Sequence, residues 1–284
     1  PSFAHEVAVI MHSGLQRMVG NQENVFFYLT LLNENYAMPG LQPGTEAEIL
    51  QGMYLLQPAL PGALQVNLLG SGTILRESVA AKELLEADWG VGANLWSCPS
   101  FNELAREGQD AKRWNLLHPL EPRRESFVAR QLGRTQGPVV ASTDYMKSYA
   151  EQIRAFIPKG RIYKVLGTDG FGRSDFRSRL REHFEVNRHY IVVAALKALA
   201  EEGTVPKMLV ADAIVFEASL SFINAGVRPP EPSWGNVLAD GKQLLLIGGW
   251  WATFFPGLMI LITVLALNVL AESMTDAMVS PKLR

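Results

Sequence analysis

The sequence predicts an α/β domain with a parallel sheet, followed by a hydrophobic helix of the transmembrane type. The first observation is a set of four short, mostly apolar runs bounded by Gly, Pro or Ser, which suit buried parallel strands: residues 66–69, 94–97, 139–142 and 163–166. The second is that helical patterns alternate with these runs, as in α/β domains. The third is a stretch of 29 residues, 243–271, that contains no charged residue.

The first 62 residues are predicted to form a separate structural part, residues 1–36, followed by a linker, residues 37–62. Residues 6–19 have a helical pattern, and residues 25–32 form an apolar run of the strand type. Residues 33–36 follow at what would be the carboxyl end of that strand. Residues 37–62 are rich in Pro and Gly and predict a linker.

Three later stretches predict helices. The first begins with Thr143 or Asp144 as its N-cap and ends before Pro158. The second begins behind Ser174. The third, residues 190–200, is apolar on nearly all sides, so we expect it to be largely buried.

The charge-free stretch predicts a membrane-spanning helix at about residues 244–270. About 20 apolar residues cross a hydrocarbon core of about 30 Å, and this stretch is longer. Trp250 and Trp251 suit a membrane interface, and Pro256 predicts a kink of the kind that membrane helices tolerate. The alternative is a buried helix of a globular domain, although such helices are usually shorter.

The composition excludes several classes of protein. Of 284 residues, 48% are hydrophobic and 19% charged, which excludes a largely disordered chain. The 26 Lys and Arg residues against 28 Asp and Glu residues argue against a nucleic-acid partner, which would call for a basic excess. The single cysteine, Cys98, excludes an intramolecular disulfide and a metal site built from several cysteines. The five histidines form no zinc-binding pair, so no metal ligand is predicted.

Two groups of residues are candidates for a site. Glu34, Asn35 and Tyr36 place a carboxylate, an amide and a phenol together just beyond a predicted strand, which is unusual for a purely structural turn. Asp169 and Arg173 lie in a Gly-rich loop at the carboxyl end of another strand, where ligands of parallel sheets usually bind. For both groups the alternative is a structural turn, and for Arg173 a surface side chain.

Several runs in residues 1–212 resemble the homodimeric type of bacterial pyruvate dehydrogenase, the thiamine-diphosphate-dependent first component of its complex. The runs are EVAVIMHSGLQRM (6–18), QENVFFYLTLLNENYAMPG (22–40), LLGSGTILRE (68–77), SFNELAREGQDAKRWNLLHPLE (100–121), ASTDYMKSYAEQIRAFIP (141–158) and LGTDGFGRSDFRSRLREHFEV (166–186). The resemblance implies a transketolase C-terminal-like domain for residues 63–212. It implies that residues 1–36 are the tail of a pyrimidine-binding middle domain, joined through the linker 37–62.

The resemblance also implies a function. That function is the oxidative decarboxylation of pyruvate with acetyl transfer to lipoyl groups, carried out in the cytoplasm by a homodimer that meets a lipoyl-bearing acetyltransferase. Glu34, Asn35 and Tyr36 match the segment that approaches the active-site mouth. Some relatives carry His after this Tyr, where this chain has Ala37, so no His-based proton transfer carries over.

The cofactors implied by the resemblance are thiamine diphosphate and Mg²⁺. The family binds them through a Gly-Asp-Gly…Asn motif and an activating Glu, which we expect to lie outside this fragment. Asp169 and Gly170 are not that motif, because Thr168 stands where Gly is needed. We therefore expect no cofactor-binding residue in this chain and no activity of the fragment alone.

Residues 213–284 resemble instead the C-terminal end of a dipeptide/oligopeptide-type ABC transporter permease. The runs are EASLSF (217–222), PPEPSWGNVLADGKQ (229–243), WWATFFPG (250–257) and LNVLAESMTDAM (267–278). This resemblance implies a transport-protein fragment held in the inner or plasma membrane by residues 244–270. The join near residues 212–214 cuts the permease within a helix. That position favours a chimeric chain without a function of its own, produced by recombination, deletion or assembly, over an evolved fusion.

Overall fold

The computed structural model describes residues 1–61, 64–222 and 250–279. The chain divides into two compact units. The first contains residues 1–171 and 184–198, and the second contains residues 172–183 and 199–284.

The first unit is built around a five-stranded sheet with the strand order β1-β3-β2-β4-β5. Its strands are β1 (Tyr54–Gln57), β2 (Leu64–Gly70), β3 (Val91–Ser97), β4 (Val139–Ser142) and β5 (Tyr163–Leu166). β1 pairs with β3 in the antiparallel direction, and the pairs β2–β3, β2–β4 and β4–β5 are parallel. All four predicted strands are present, and the predicted parallel sheet of an α/β domain is confirmed.

Helices alternate with these strands. Those of the first unit are α1 (Ala4–Leu15), α2 (Glu46–Gln51), α3 (Leu75–Asp88), α4 (Phe101–Leu117), α5 (Phe127–Leu132), α6 (Lys147–Glu151) and most of α8 (Arg188–Glu201). A π-helical turn, Gln16–Gly20, continues α1, and 3₁₀ turns cover Gly72–Ile74 and Arg154–Phe156. Serine hydroxyls cap two of these helices, because Ser100 Oγ accepts from Glu103 N and Ser126 Oγ accepts from Ala129 N.

The core lies against one face of the sheet. Leu69 and Trp96 project from the sheet into an apolar cluster completed by α4, α5 and α6. Side chains alternate along a strand, so the buried neighbours Leu68 and Leu95 project to the opposite face. The sheet is therefore buried on both faces, as expected of parallel strands with continuous apolar runs.

The helix predicted over residues 143–158 is shorter than expected, and its predicted caps are wrong. It is broken into α6 and the following 3₁₀ turn, and its N-cap residue is Met146. Thr143 and Asp144 are engaged elsewhere, because each accepts a hydrogen bond from the loop that follows β2. The neighbouring loop therefore takes the side chains that would otherwise have capped the helix.

The run at residues 25–32 is not a strand in this structure. It keeps an alternating pattern, with Val25, Phe27 and Leu29 half-buried while Phe26 and Tyr28 are exposed. A strand needs a neighbour to complete its backbone hydrogen bonds, and within the described residues none pairs with this run. The sequence has strand character here, but the sheet does not include it.

The segment predicted as a linker, residues 37–62, contains α2 and β1. Ile49, Met53 and Tyr54 are fully or almost fully buried, and β1 forms the edge of the sheet. The structure differs from the prediction because one short helix and one edge strand carry too few periodic positions to stand out among Pro and Gly.

The predicted buried helix at residues 190–200 is confirmed as part of α8. Ile191, Ala195 and Leu196 are completely buried. The helix begins beside Asn187, whose Oδ1 accepts from the backbone N–H groups of His189 and Tyr190. Burial, followed by the nearby Arg188 guanidinium, lowers the pKa of His189 below 6.5, because both disfavour the charged imidazole.

His189 therefore makes the stability of the protein depend on pH. Because the folded state disfavours the charged imidazole, its contribution to stability is present above the unfolded pKa of 6.5 and decreases as the pH falls below that value. We expect His189→Gln to lose less unfolding free energy than the wild type between about pH 7.5 and about pH 5. Urea unfolding of both proteins across that range measures the difference. Identical pH dependence in the two proteins would contradict the prediction.

The second unit contains α7 (Arg177–His183), α9 (Met208–Phe222) and α10 (Trp251–Val279). Helices α9 and α10 pack against each other. Within the part of the chain that the structure describes, no helix has the length and apolar character needed to span a membrane. The prediction of a transmembrane helix at about residues 244–270 is thus not supported. Residues 244–249 lie outside the described residues, and α10 continues past residue 270 over Glu272 and Asp276.

Candidate functional site

The candidate site lies at the carboxyl ends of β2 and β4. The chain leaves β2 to form β3 on one side of it and later returns to form β4 on the other side. The loops that follow β2 and β4 therefore diverge at this point, which is where parallel α/β sheets usually bind ligands.

Hydroxyl groups connect the loops at this edge. Ser71 Oγ donates to Thr143 Oγ1 over 2.8 Å. Thr73 donates to Asp144 Oδ2 twice, from its backbone N at 3.1 Å and from Oγ1 at 2.7 Å. Thr168, which follows β5, donates from Oγ1 to the Asp144 carbonyl oxygen. The loops after three strands are thus held as one scaffold.

Residues 30–36 lie against this scaffold. Arg76 Nη1, in the first turn of α3, donates to Glu34 Oε1 over 2.6 Å. The Glu34 side chain is 13% exposed and the Arg76 side chain 39% exposed, so the carboxylate of this ion pair is largely shielded while the guanidinium stays in contact with water. Tyr145 OH, in the loop after β4, donates to Thr30 Oγ1. Contacts to both loops therefore fix the segment over the sheet edge.

Tyr36 is held on two sides. Its hydroxyl donates to the Ser2 carbonyl oxygen, and the Arg76 guanidinium lies over its ring at 4.8 Å from the centroid. Burial, followed by the Glu6 carboxylate, raises the pKa of the Tyr36 phenol. Asn35 is exposed between the two anchored side chains. The structure therefore brings Glu34 and Tyr36 together through their contacts with one arginine, Arg76. Arg76 was not predicted from the sequence.

A buried carboxylate joins the first helix to the edge of the sheet. Glu6 is completely buried. Its Oε2 accepts from the backbone N–H groups of Ser2 at 2.5 Å and Phe3 at 3.2 Å, and its Oε1 accepts from Tyr54 OH at 2.8 Å and Ser97 Oγ at 2.6 Å. Burial, followed by this carboxylate, raises the pKa of the Tyr54 phenol. An acidic residue in the first turn of a predicted helix was the available sequence signal.

Asp169 and Arg173 each have a local partner. Asp169 Oδ1 accepts from Lys147 N at 3.0 Å, at the start of α6, and its Oδ2 is 3.6 Å from Lys147 Nζ. This geometry is that of a helix cap supplied by another loop. Arg173 belongs to the second unit, where its Nη1 is 2.8 Å from His183 Nδ1. The contacts of Asp169 suit the structural alternative, and a ligand role for either residue stays a prediction.

Among the described residues, neither the cysteine nor the possible metal-ligand side chains form a second reactive site. Cys98 is completely buried directly after β3, and burial raises the pKa of its thiol, so it is held as an unreactive thiol. Across residues 1–61, 64–222 and 250–279, no three His, Cys, Asp or Glu side chains are placed to hold a metal ion.

Two family descriptions match parts of the chain. Residues 1–39 match the pyruvate dehydrogenase E1 component middle domain, and residues 52–187 match the transketolase-like TK C-terminal domain. The match of residues 52–187 supports the predicted transketolase C-terminal-like fold. The solved structure of split gene transketolase, an inactive beta4 tetramer, aligns with 53% of this chain and 42% of its own chain at 18% identity. Its TM-score of 0.37 is too low to support a conclusion.

Three curated relatives share more than half of the aligned residues. The pyruvate dehydrogenase E1 component of Cupriavidus necator is 56% identical over 216 residues, which is 75% of this chain and 24% of that protein. The E1 components of Pseudomonas aeruginosa and Escherichia coli K12 are 53% and 54% identical over 215 residues, with the same coverage. This chain thus spans about a quarter of the length of these relatives.

These matches bear differently on the two predicted parts of the chain. They give no support to the permease resemblance predicted for residues 213–284, nor to the membrane partner and transport role that it implied. The first three quarters of the chain are similar to the C-terminal segment of the pyruvate dehydrogenase E1 component.

Proposed function

We propose that residues 1–212 act as the C-terminal segment of a pyruvate dehydrogenase E1 component. In that role they form one wall of an active site for oxidative decarboxylation of pyruvate with acetyl transfer to lipoyl groups. The observation that carries this proposal is 56% identity over 216 residues to an E1 component. Because such a segment holds only part of the active site, we propose that it is inactive alone.

The proposed domain layout follows the two matched families. Residues 1–36 are the tail of the middle domain, residues 37–62 connect it to the next domain, and residues 63–212 are the transketolase C-terminal-like domain. The matches to residues 1–39 and 52–187 support this order. Residues 213–284 stand outside the proposal, because no match supports the predicted permease identity.

Glu34, Asn35 and Tyr36 are proposed to face the active-site mouth. Their position over the carboxyl ends of β2 and β4 supports this role, because ligands of parallel sheets bind at such edges. The part-buried ion pair with Arg76 keeps the Glu34 carboxylate in one place. Asp169, in the loop after β5, is also proposed to lie at this ligand edge. Arg173 belongs to the second unit, and its ligand role stays a prediction from the sequence.

Thiamine diphosphate and Mg²⁺ are proposed as cofactors of the complete enzyme. When bound, thiamine diphosphate stabilises the carbanion formed on decarboxylation. Within the described residues no three His, Cys, Asp or Glu side chains are placed to hold a metal ion. The role proposed for residues 34–36 is to shape the mouth. Proposed partners are a second copy of the enzyme and a lipoyl-bearing acetyltransferase, in the cytoplasm.

A segment exchange tests the proposed function. The 216 matching residues of the Cupriavidus necator E1 component are replaced by the corresponding residues of this chain. We expect pyruvate-dependent acetyl transfer to lipoyl groups from this hybrid enzyme and none from the 284-residue chain alone. A hybrid that is folded, dimeric and inactive would overturn the proposal.

Within the hybrid, Glu34→Gln tests the proposed mouth residue. We expect kcat/KM to fall by about 10- to 100-fold, because misplaced groups at a reacting centre cost rates of that order. The matched control is Glu83→Gln, which changes an exposed glutamate on α3 and should leave kcat/KM unchanged. Equal kcat/KM values for Glu34→Gln and Glu83→Gln would show that Glu34 has no role in the active site.

A further inference from the structure

We propose that Arg76 is the positioning residue that holds Glu34 and Tyr36 over the sheet edge. The structural claim concerns contacts within this chain. Its meaning for catalysis rests on the proposed function, in which residues 34–36 face the active-site mouth.

The segment that carries Glu34 has no regular structure of its own. No helix or strand is present between residues 25 and 42, so the internal hydrogen bonds of an element do not fix its backbone. A side chain on such a segment keeps a defined position only through contacts to a rigid neighbour. Arg76 provides these contacts, with Nη1 at 2.6 Å from Glu34 Oε1 and the guanidinium at 4.8 Å from the Tyr36 ring centroid.

One guanidinium therefore holds two residues that are two positions apart. In an extended chain, side chains at i and i+2 project to the same side, so Glu34 and Tyr36 both face Arg76. A planar guanidinium can donate to a carboxylate and stack on an aromatic ring at once, which a lysine ammonium cannot reproduce. This combination explains why an arginine suits the position.

Arg76 itself is held on a rigid support. It is the second residue of α3, directly after the 3₁₀ turn Gly72–Ile74. Thr73 in that turn is bound to Asp144, and the next residue, Glu77, accepts from Arg188 Nε at 2.9 Å and from Arg188 N at 3.1 Å. The backbone on both sides of Arg76 is thus fixed to other parts of the first unit.

The chain contains a matched control for these contacts. Arg17 forms an ion pair with Glu23 over 2.8 Å and lies over the Phe27 ring at 5.8 Å from the centroid. Arg17 makes the same two kinds of contact as Arg76. Its carboxylate partner, Glu23, precedes residues 25–42, whereas Glu34 lies over the sheet edge. Arg17→Gln therefore removes a similar ion pair and ring contact without touching residues 34–36.

Backbone amide ¹⁵N relaxation on the 284-residue chain tests the proposal. We expect Arg76→Gln to lower the order parameters of residues 33–36 from about 0.85, typical of rigid backbone, to below about 0.6, while Arg17→Gln leaves them unchanged. Arg76→Lys should give intermediate values, because the charge is kept and the stacking is lost. Unchanged order parameters at residues 33–36 in Arg76→Gln would overturn the proposal, as would an equal loss in Arg17→Gln.

A second readout separates positioning from general support of the fold. In the hybrid enzyme, Arg76→Gln should lower kcat/KM less in the Glu34→Gln background than in the unchanged hybrid, because part of its effect acts through Glu34 and the rest through Tyr36. Additive losses would overturn the positioning role. The relaxation experiment does not depend on activity, so an inactive hybrid would count against the proposed function while the order parameters still decide the role of Arg76.

Discussion

Replacing Glu6 by Ala is expected to lower the free energy of unfolding by about 3–5 kcal/mol. The substitution removes the shared acceptor of four donors: the backbone N–H groups of Ser2 and Phe3 and the hydroxyls of Tyr54 and Ser97. Of these, Tyr54 OH has another possible acceptor, His5 Nε2 at 3.1 Å. Leaving a buried donor unsatisfied costs about 1–3 kcal/mol, and hydrogen bonds to a charged acceptor lie at the upper end. Urea unfolding followed by circular dichroism measures the loss.

The matched control for this change is Glu83→Ala. Glu83 is exposed on α3, so its removal should alter the unfolding free energy by no more than about 0.5 kcal/mol. If Glu6→Ala destabilised the protein no more than Glu83→Ala, the buried carboxylate would not be the anchor of the first helix.

Gly137→Ala is expected to cost about 3 kcal/mol or more, for a different reason. Gly137 has a φ of +81°, in the region that side chains rarely adopt. An added Cβ would also fall far inside van der Waals contact with the backbone carbonyl of Gln65. The flanking residues cannot shift easily, because Asn67 donates to the carbonyl oxygens of Gln136 and Pro138.

Gly160→Ala separates the two causes. Gly160 has a φ of +86°, yet a Cβ there meets no atom within 4 Å. Its substitution should therefore cost only the backbone strain, about 1–2 kcal/mol. Thermal unfolding of both variants measures the difference in their unfolding free energies. That difference reports the steric conflict between residue 137 and the backbone of β2 at Gln65. Equal losses would show that the approach of residue 137 to β2 is not tight.

The four parallel strands could be predicted because their burial on both faces appears as short apolar runs in the sequence itself. β4 and β5 have the predicted bounds, since a parallel strand covered on both faces is a continuous apolar run. β1 was missed because it is an antiparallel edge strand of four residues beside Pro and Gly. The caps predicted for α6 were wrong because a neighbouring loop engages Thr143 and Asp144, and no local pattern records that contact.

The candidate site was predictable only in part, for a related reason. Glu34 and Tyr36 could be grouped because they are adjacent in sequence. Their common partner Arg76 lies 42 residues after Glu34, and Glu6 meets Tyr54 and Ser97 across 48 and 91 residues. Contacts at such separations depend on how the elements pack, which single-sequence patterns do not encode.

The two anchors of the first 36 residues also bear on how this part of the chain can vary among related sequences. Glu6 holds its beginning to the sheet and Arg76 holds its end, while residues 40–44 run exposed between the end of that piece and α2. Doubling the length of a flexible connection costs only about 0.6 kcal/mol in closure entropy. Insertions and deletions should therefore collect at residues 40–44, whereas the spacing from Glu6 to Glu34 should stay constant.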